Sequence, residues 1–380
     1  MIYLDNAATT LYKPEPVRKA VYEAMGTMGN SGRGAWGPAL SAARLVYAVR
    51  EKAAEFFGAW GGESVAFTGN ATEALNIVIS GLVKKGDHVI TTQAEHNSVL
   101  RPLYRKEKEG AELTILPVDQ KGNFSLEEME KAVRENTRAV ICTHASNVTG
   151  NLYPAEQIGK LCRRHGLLFI LDAAQSAGEA PIDMRKMYID VLCFTGHKGL
   201  MGPQGTGGVC VDPQVKIPAF KVGGSGVLSF DREHPGCMPE ALEAGTLNIH
   251  GLAGLEAAFD YLQDTGLEKI MEYENRLAEI FYEKIRKIPG VEVYGDFSLP
   301  GRTAVVSLNV AGFTSKEAGD LLAQRYEIAT RAGVHCAPLI HQALGTMERG
   351  TLRFSFSRFN TEEEIHRAAL AVKEIAGERE

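Results

Sequence analysis

Leu167-Leu168-Phe169-Ile170-Leu171-Asp172-Ala173-Ala174-Gln175 and, further on, Val191-Leu192-Cys193-Phe194-Thr195-Gly196-His197-Lys198-Gly199 decide how this chain folds. Each is a short apolar run that breaks off into polar and glycine residues, the pattern of a strand buried on both faces. Similar runs lie at 65–67, 89–90, 113–116, 139–142 and 209–211, and segments of helical period at 125–135 and 155–165 separate several of them. Upstream, Leu45, Val49, Ala53 and Phe56 recur at helical spacing over 41–57, and Gly58 supplies a stop. Alternating strand and helix predicts a largely parallel α/β sheet covered on both faces. Ligands of such sheets bind beyond the carboxyl ends of the strands, so the residues that end each run are where chemistry is sought.

Past Gly251 the pattern changes. Residues 268–288 place Ile270, Leu277, Phe281 and Ile288 on one side of a long helix. Strands at 291–294 and 304–310, a helix at 315–326, a strand near Ile328, a strand at 351–357 and a helix at 362–375 follow. The division this predicts is an N-terminal segment of residues 1–15, a large α/β domain of 16–255 and a small α+β domain of 256–380.

Composition narrows the function. Hydrophobic residues at 44% and charged residues at 23% fit a globular chain with a sizeable core. A net charge of −6 gives no general attraction to a polyanion, which argues against nucleic acid as the main partner. No apolar run approaches the ~20 residues of a membrane helix, and Met1-Ile2-Tyr3-Leu4-Asp5-Asn6 lacks the basic start of a signal peptide. Six cysteines in 380 residues are sparse, with Cys142, Cys162, Cys193 and Cys210 inside apolar or periodic segments. A reducing, cytoplasmic setting without structural disulfides is expected. Neither Cys-x-x-Cys nor His-x-x-x-His occurs, so no metal site is expected.

Asp172 and Lys198 end nearby strands. An acid and a lysine so placed suit pyridoxal 5'-phosphate, whose aldehyde the amine captures and whose pyridine nitrogen the carboxylate keeps protonated. Either residue alone is equally a loop cap or a surface charge. The run 65–67 leads through Gly69 into a helix start at Asn70-Ala71-Thr72-Glu73, which offers free N–H groups to a phosphate, or simply a capping box. In 351–357 the period is two, so Arg353 points away from Leu352, Phe354 and Phe356; its planar fork matches a carboxylate, unless it only faces solvent. Cys336 sits between Gly333 and Pro338 in an irregular stretch, as Cys237 does in His234-Pro235-Gly236-Cys237-Met238-Pro239.

Asp172-Ala173-Ala174-Gln175 with Thr195-Gly196-His197-Lys198, preceded by Tyr3-Leu4-Asp5-Asn6-Ala7-Ala8-Thr9-Thr10 and followed by Arg331-Ala332-Gly333-Val334-His335-Cys336, resembles the class V aminotransferase family. The cysteine desulfurase and selenocysteine lyase branch is nearest, and the short segment around Cys336 resembles the Suf-type enzymes. The resemblance implies a fold-type I pyridoxal-phosphate homodimer that turns L-cysteine into L-alanine and leaves a persulfide on Cys336 for a protein acceptor. L-Selenocysteine is the alternative substrate, and an aminotransferase the more distant reading. It implies that residues 1–15 lie near the site and that the small domain carries Cys336 and Arg353. Lys198 would hold the cofactor, His96 stack on its ring, Asp172 and Gln175 contact the ring nitrogen and phenolic oxygen, and Thr72, Thr195 and His197 bind the phosphate. Asn147 and Arg353 would orient the substrate, and Thr246 would reach the phosphate of the neighbouring subunit. Two departures stand out: Thr195 replaces a customary serine, and Ala71 stands where a hydroxyl is frequent. Ala332, four residues before Cys336, likewise replaces a hydroxyl residue.

Overall fold

A short strand, β1 (Ile2–Tyr3), and two helices, α1 (Glu15–Thr27) and α2 (Gly37–Phe56), precede the apolar runs. In the computed structural model, which describes residues 1–31, 36–299 and 301–379, those runs become β2 (Val65–Thr68), β3 (His88–Thr92), β4 (Glu112–Leu116), β5 (Thr137–Thr143), β6 (Leu168–Asp172), β7 (Val191–Thr195) and β8 (Gly207–Val211). Helices α3 (Ala71–Leu82), α4 (Asn97–Lys108), α5 (Leu126–Lys131) and α6 (Ala155–His165) connect β2 to β6 in turn. The strands make one sheet in the order β2-β8-β7-β6-β5-β3-β4. From β7 to β4 every pairing is parallel, and β8 alone runs antiparallel to its neighbours β7 and β2.

Alternation along β6 explains why its run is continuously apolar. Phe169 and Leu171 enter the core shared with α2 and α6, while Ile170 enters the core under α3 on the other face. Each such buried side chain contributes about 1.5–3 kcal/mol by leaving water. Gly159 on α6 lets that helix touch the turn that feeds β7: a Cβ there would lie 1.9 Å from Met187 O. Only glycine permits the approach, and it fixes the height of β7 against β6.

The remainder comprises α7 (Ile249–Thr265), α8 (Leu267–Ile285), β9 (Val291–Tyr294), β10 (Val305–Val310), α9 (Ser315–Tyr326), β11 (Ile328–Ala329), β12 (Arg331–Gly333), α10 (Pro338–Ala343), β13 (Thr351–Ser355) and α11 (Glu362–Ala376). A four-stranded antiparallel sheet, β12-β13-β10-β9, buries Leu352, Phe354 and Phe356 against Leu277 and Phe281 of α8 and Val372 of α11. Helix α7 runs through residue 255 and packs on α1 and α2. The chain start does not stay with the large sheet: β1 pairs in parallel with β11, and Asp5 bridges to Ser355. Residues 2–13 thereby span both sheets.

Candidate active site

The mouths of β3, β5, β6 and β7 and the start of α3 surround one cleft of about 480 Å³. Of the residues singled out in the sequence, Ala71, Thr72, His96, Asn147, Asp172, Gln175, Thr195, His197 and Lys198 all line it. Pairing of β6 with β7 sets Asp172 opposite Cys193, so the acid lies beside the strand that delivers Lys198. Asp172 is buried and accepts the Ala174 N–H at 2.9 Å. Burial pushes its carboxyl above the ordinary range, against the pull of that N–H and of Lys198. Burial likewise lowers the Lys198 amine to about 8. It therefore carries a sizeable neutral, nucleophilic fraction near neutral pH.

His96 caps α4: its Nδ1 accepts the Ser98 N–H at 3.1 Å, which leaves the ring proton on Nε2. Burial, with Lys198 and Arg101 nearby, holds its pKa at about 4, so the ring is neutral. Ser98 Oγ lies 2.8 Å from that Nδ1 and 2.7 Å from Thr72 Oγ1, so a chain of hydroxyls joins the start of α3 to His96. Asn70 caps α3 by accepting the Glu73 N–H at 3.0 Å. Glu73 turns back to the Gly69 N–H rather than to Asn70, so the expected capping box is only half formed.

Two elements close the cleft from the other sheet. Arg353 is 2% exposed, donates through Nη1 to Asn147 O at 3.0 Å and through Nη2 to Asp5 Oδ1 at 2.9 Å. The alternation read from 351–357 is correct for the side it faces, and that side is interior rather than solvent. Cys336 is exposed, yet its backbone is held: Asn97 N–H donates to Cys336 O and Asn147 Nδ2 donates to His335 O, both at 2.7 Å. His335 and Cys336 both adopt the left-handed conformation, with φ of 49° and 57°. Neither is glycine, so this turn carries strain that those two bonds offset. Thr246 is exposed and lines a different cleft, with Tyr47 and Arg50. Cys237 is exposed as well, in the stretch before Glu240.

Several participants escaped the sequence reading. Asn97, Ser98 and Glu95 follow β3 directly, and their position at a strand mouth was the available signal. Glu95 is fully buried, accepts from Thr92 Oγ1 at 2.7 Å and from the Thr143 N–H at 2.8 Å, and burial raises its pKa to about 8. Lys13 is the other. The carbonyl of His197, immediately before Lys198, accepts from Lys13 Nζ at 3.0 Å, Thr10 N at 3.1 Å, and Thr9 Oγ1 and Thr10 Oγ1 at 3.2 Å each. So many donors on one oxygen fix the backbone that presents the lysine.

The donor set fits pyridoxal 5'-phosphate. Gln175 spends Nε2 on Ala7 O at 3.0 Å, and its buried Oε1 has no partner among the described residues, leaving an acceptor for a ring hydroxyl. His197 Nδ1 is similarly without a partner among the described residues. The first N–H groups of α3 provide a positive pole for a phosphate.

A parallel sheet with an acid and a lysine at adjoining strand mouths is the fold-type I framework of pyridoxal-phosphate enzymes. Within that class the chain belongs to the class V aminotransferase family, whose model matches residues 2–368. A probable cysteine desulfurase of Methanothermobacter thermautotrophicus is 36% identical over 99% of this chain and 95% of the relative. One from Pyrococcus abyssi is 34% identical over 96% and 92%. The apo structure of a cysteine desulfurase from Thermococcus onnurineus superposes with a TM-score of 0.93 at 34% identity, covering 99% of this chain and 95% of that one. The Escherichia coli desulfurase CsdA gives 0.88 at 29% identity over 99% and 94%.

Proposed function

We propose that this protein is a pyridoxal-phosphate-dependent cysteine desulfurase, and that Cys336 is the thiol that receives the sulfur. The observation that carries this reading is the tethering of an exposed cysteine to the cofactor cleft through the Asn97 N–H and the Asn147 side chain. An aminotransferase has no use for a thiol held there. The reaction moves one sulfur atom: the Cβ–Sγ bond of L-cysteine breaks, an S–S bond forms at Cys336 Sγ, and Cβ takes up a proton to give L-alanine. Bound pyridoxal phosphate supplies the electron sink that makes the substrate Cα–H acidic.

The chain's own residues do the rest. Lys198 Nζ, with its lowered pKa, takes the Cα proton and returns one. With the cofactor bound, Asp172 would hold the proton of the ring nitrogen, neutral His96 would present a flat face to the ring, and Gln175 would accept from its hydroxyl. Thr72, Thr195 and His197, with the amides at Ala71 and Thr72, would hold the phosphate. Arg353 binds the substrate carboxylate, and the second amide hydrogen of Asn147 reaches the same group. The cofactor-binding domain begins at residue 16 and, because α7 packs on α1 and α2, runs past the expected boundary at 255 to Thr265; the rest is the small domain, and residues 1–15 are a strap between the two.

Thr246, exposed and outside its own cleft, would complete the phosphate site of a second copy. The exposed Tyr22, Trp36, Tyr47 and Phe230 supply apolar surface for such a homodimer. All six cysteines are free, which suits a reducing cytoplasm; no helix among the described residues is long and apolar enough to cross a membrane. The outer sulfur of the persulfide then passes to a thiol of a protein acceptor, which frees the Cys336 thiol for the next turnover. The test is anaerobic incubation with L-cysteine and, separately, L-selenocysteine. Alanine should appear with one persulfide per Cys336, and Cys336→Ala should abolish alanine from cysteine while Cys237→Ser is silent. Full activity in Cys336→Ala would remove the proposal, and turnover of selenocysteine alone would replace it with a selenocysteine lyase.

A further inference from the structure

The buried arginine that would hold the substrate carboxylate is already paired. Arg353 Nη2 donates to Asp5 Oδ1 at 2.9 Å, and Nη1 is committed to the Asn147 carbonyl. Its Nε–H is buried and has no partner among the described residues. With the side chain 2% exposed, a guanidinium nitrogen without an acceptor is costly to keep, and it marks the edge at which a further acceptor docks. The edge formed by Nε and Nη2 is the one that receives a carboxylate in bidentate geometry. Asp5 already occupies the Nη2 half of it. The Asp5 side chain is 18% exposed, against 2% for Arg353. Asp5 thus lies on the more open side of the pair. It belongs to the segment whose far end grips His197 O, and it is fixed there by the bridge to Ser355 and by Ser355 Oγ, which accepts the Ala7 N–H at 2.9 Å.

We propose that Asp5 is a resident counterion that occupies Arg353 when no substrate is present and competes with the incoming α-carboxylate for it. The competition sets the affinity for amino acids: Asp5 keeps the Arg353 guanidinium neutralised and oriented between turnovers, and it weakens the hold on any carboxylate, product included. Arginine without a substrate would otherwise be a buried, unneutralised cation. Arg331, in register with Arg353 on β12, and the Tyr3 hydroxyl, which donates to the Asp5 carbonyl at 3.2 Å, lie beside this pair, and Lys198, Glu179, His96 and His335 are within electrostatic reach of Arg353. Asp5 is therefore a positioning and specificity residue rather than one that touches the reacting atoms. The proposal rests on the reading of Arg353 as the carboxylate anchor.

The experiment is calorimetric titration of the holoenzyme with L-alanine, which carries the carboxylate but no sulfur. Asp5→Asn retains an acceptor for Nη2 and removes the charge; it should bind L-alanine roughly tenfold more tightly than wild type, the size of a modest charge-pair coupling. Asp5→Glu keeps the charge and should stay within about twofold of wild type. Cysteamine, which lacks the carboxylate, should bind all three proteins alike. Unchanged or weaker L-alanine binding by Asp5→Asn, or an equal gain in Asp5→Glu, would overturn the counterion role. Arg353→Ala separates the two layers. Loss of L-alanine binding in that variant with no gain in Asp5→Asn defeats this inference alone, whereas normal binding in Arg353→Ala defeats the carboxylate reading and this inference with it.

Discussion

Lys198 owes its chemistry to its neighbours. Burial lowers its amine to about 8, Asp172 pulls the other way, and the carbonyl just before it is held by Lys13, Thr9 and Thr10. A lysine on a free loop would be protonated and mobile. Lys198→Ala should therefore purify without the yellow absorbance of lysine-linked cofactor, and borohydride treatment of wild type should tag Lys198 in a peptide map. A tag on Lys13 instead would reassign the role. Asp172→Asn should retain cofactor and lose turnover by roughly 10²-fold, since a neutral amide no longer favours the protonated ring nitrogen. At this scale the sequence was most legible where a run of apolar residues ended. Asp172 and Lys198 lie at such ends, and one cleft holds both, together with Gln175 and His197, which only the family resemblance singled out. The Asn147 side chain was not legible in the same way: its expected task was to orient substrate, but it also holds His335 O, a contact between residues 188 apart in sequence. No local pattern announces that.

Elements were legible according to how much of their stability is local. Helix α9 begins at Ser315, as its capping sequence Thr314-x-x-Glu317 predicts, and α11 begins at Glu362 behind Thr361-x-x-Glu364. In α11, Thr361 Oγ1 accepts the Glu364 N–H at 3.2 Å, and Glu364 Oε2 accepts the Thr361 N–H at 3.0 Å. Thr361→Ala should cost about 1 kcal/mol, read as a lower denaturant midpoint, with the rate of alanine formation unchanged. Strand β12 went unread for the opposite reason. Arg331-Ala332-Gly333 has no apolar alternation, and it is a strand only because β13 offers it an edge. Helix α10, opening on Pro338 and six residues long, is likewise a product of packing, with Ile340 in a small core beside Ala337. The left-handed turn at His335 and Cys336 between them depends on tertiary bonds from the start of α4 and from Asn147. A thiol in a strained, tethered turn keeps its direction without being buried.

Across the whole molecule, buried ionisable groups make stability depend on pH. Burial holds His96, His144, His197 and His341 each at about 4, below the ordinary value of 6.5. The unfolded chain binds those protons first, so stability is lost as pH falls from 6.5 towards 4. Glu95, raised to about 8, and Glu179, raised to about 7, act oppositely: their contribution is full below the ordinary carboxyl range and is lost as pH rises through 7 to 8. His88 and His335 are lowered by burial as well, and Asp172, Asp190 and Glu274 are raised, so the two sets oppose each other across the acid range. Relative to wild type, His144→Asn should lose less stability between pH 6.5 and 4, by up to about 1.4 kcal/mol per pH unit, read from denaturant midpoints. An unchanged slope would mean that His144 is not held neutral. The large sheet and the small α+β unit were visible in the order of periodic segments, while the crossing of the chain start to β11 was not, because a two-residue strand has no period to read.

That crossing has a consequence for how the protein is made. Ile2 and Tyr3 find their partners at Ile328 and Ala329, and Asp5 finds its own at Arg353. A ribosome that has delivered Ile2 to Asp5 must add roughly 325 further residues before those partners emerge. That segment waits unpaired meanwhile, and the loop it finally closes spans roughly 325 residues. A nascent chain that stops short of β13 already holds Asp172, His197 and Lys198. It lacks the arginine that receives Asp5, so the N-terminal segment is locked across the cleft only after β13 has emerged.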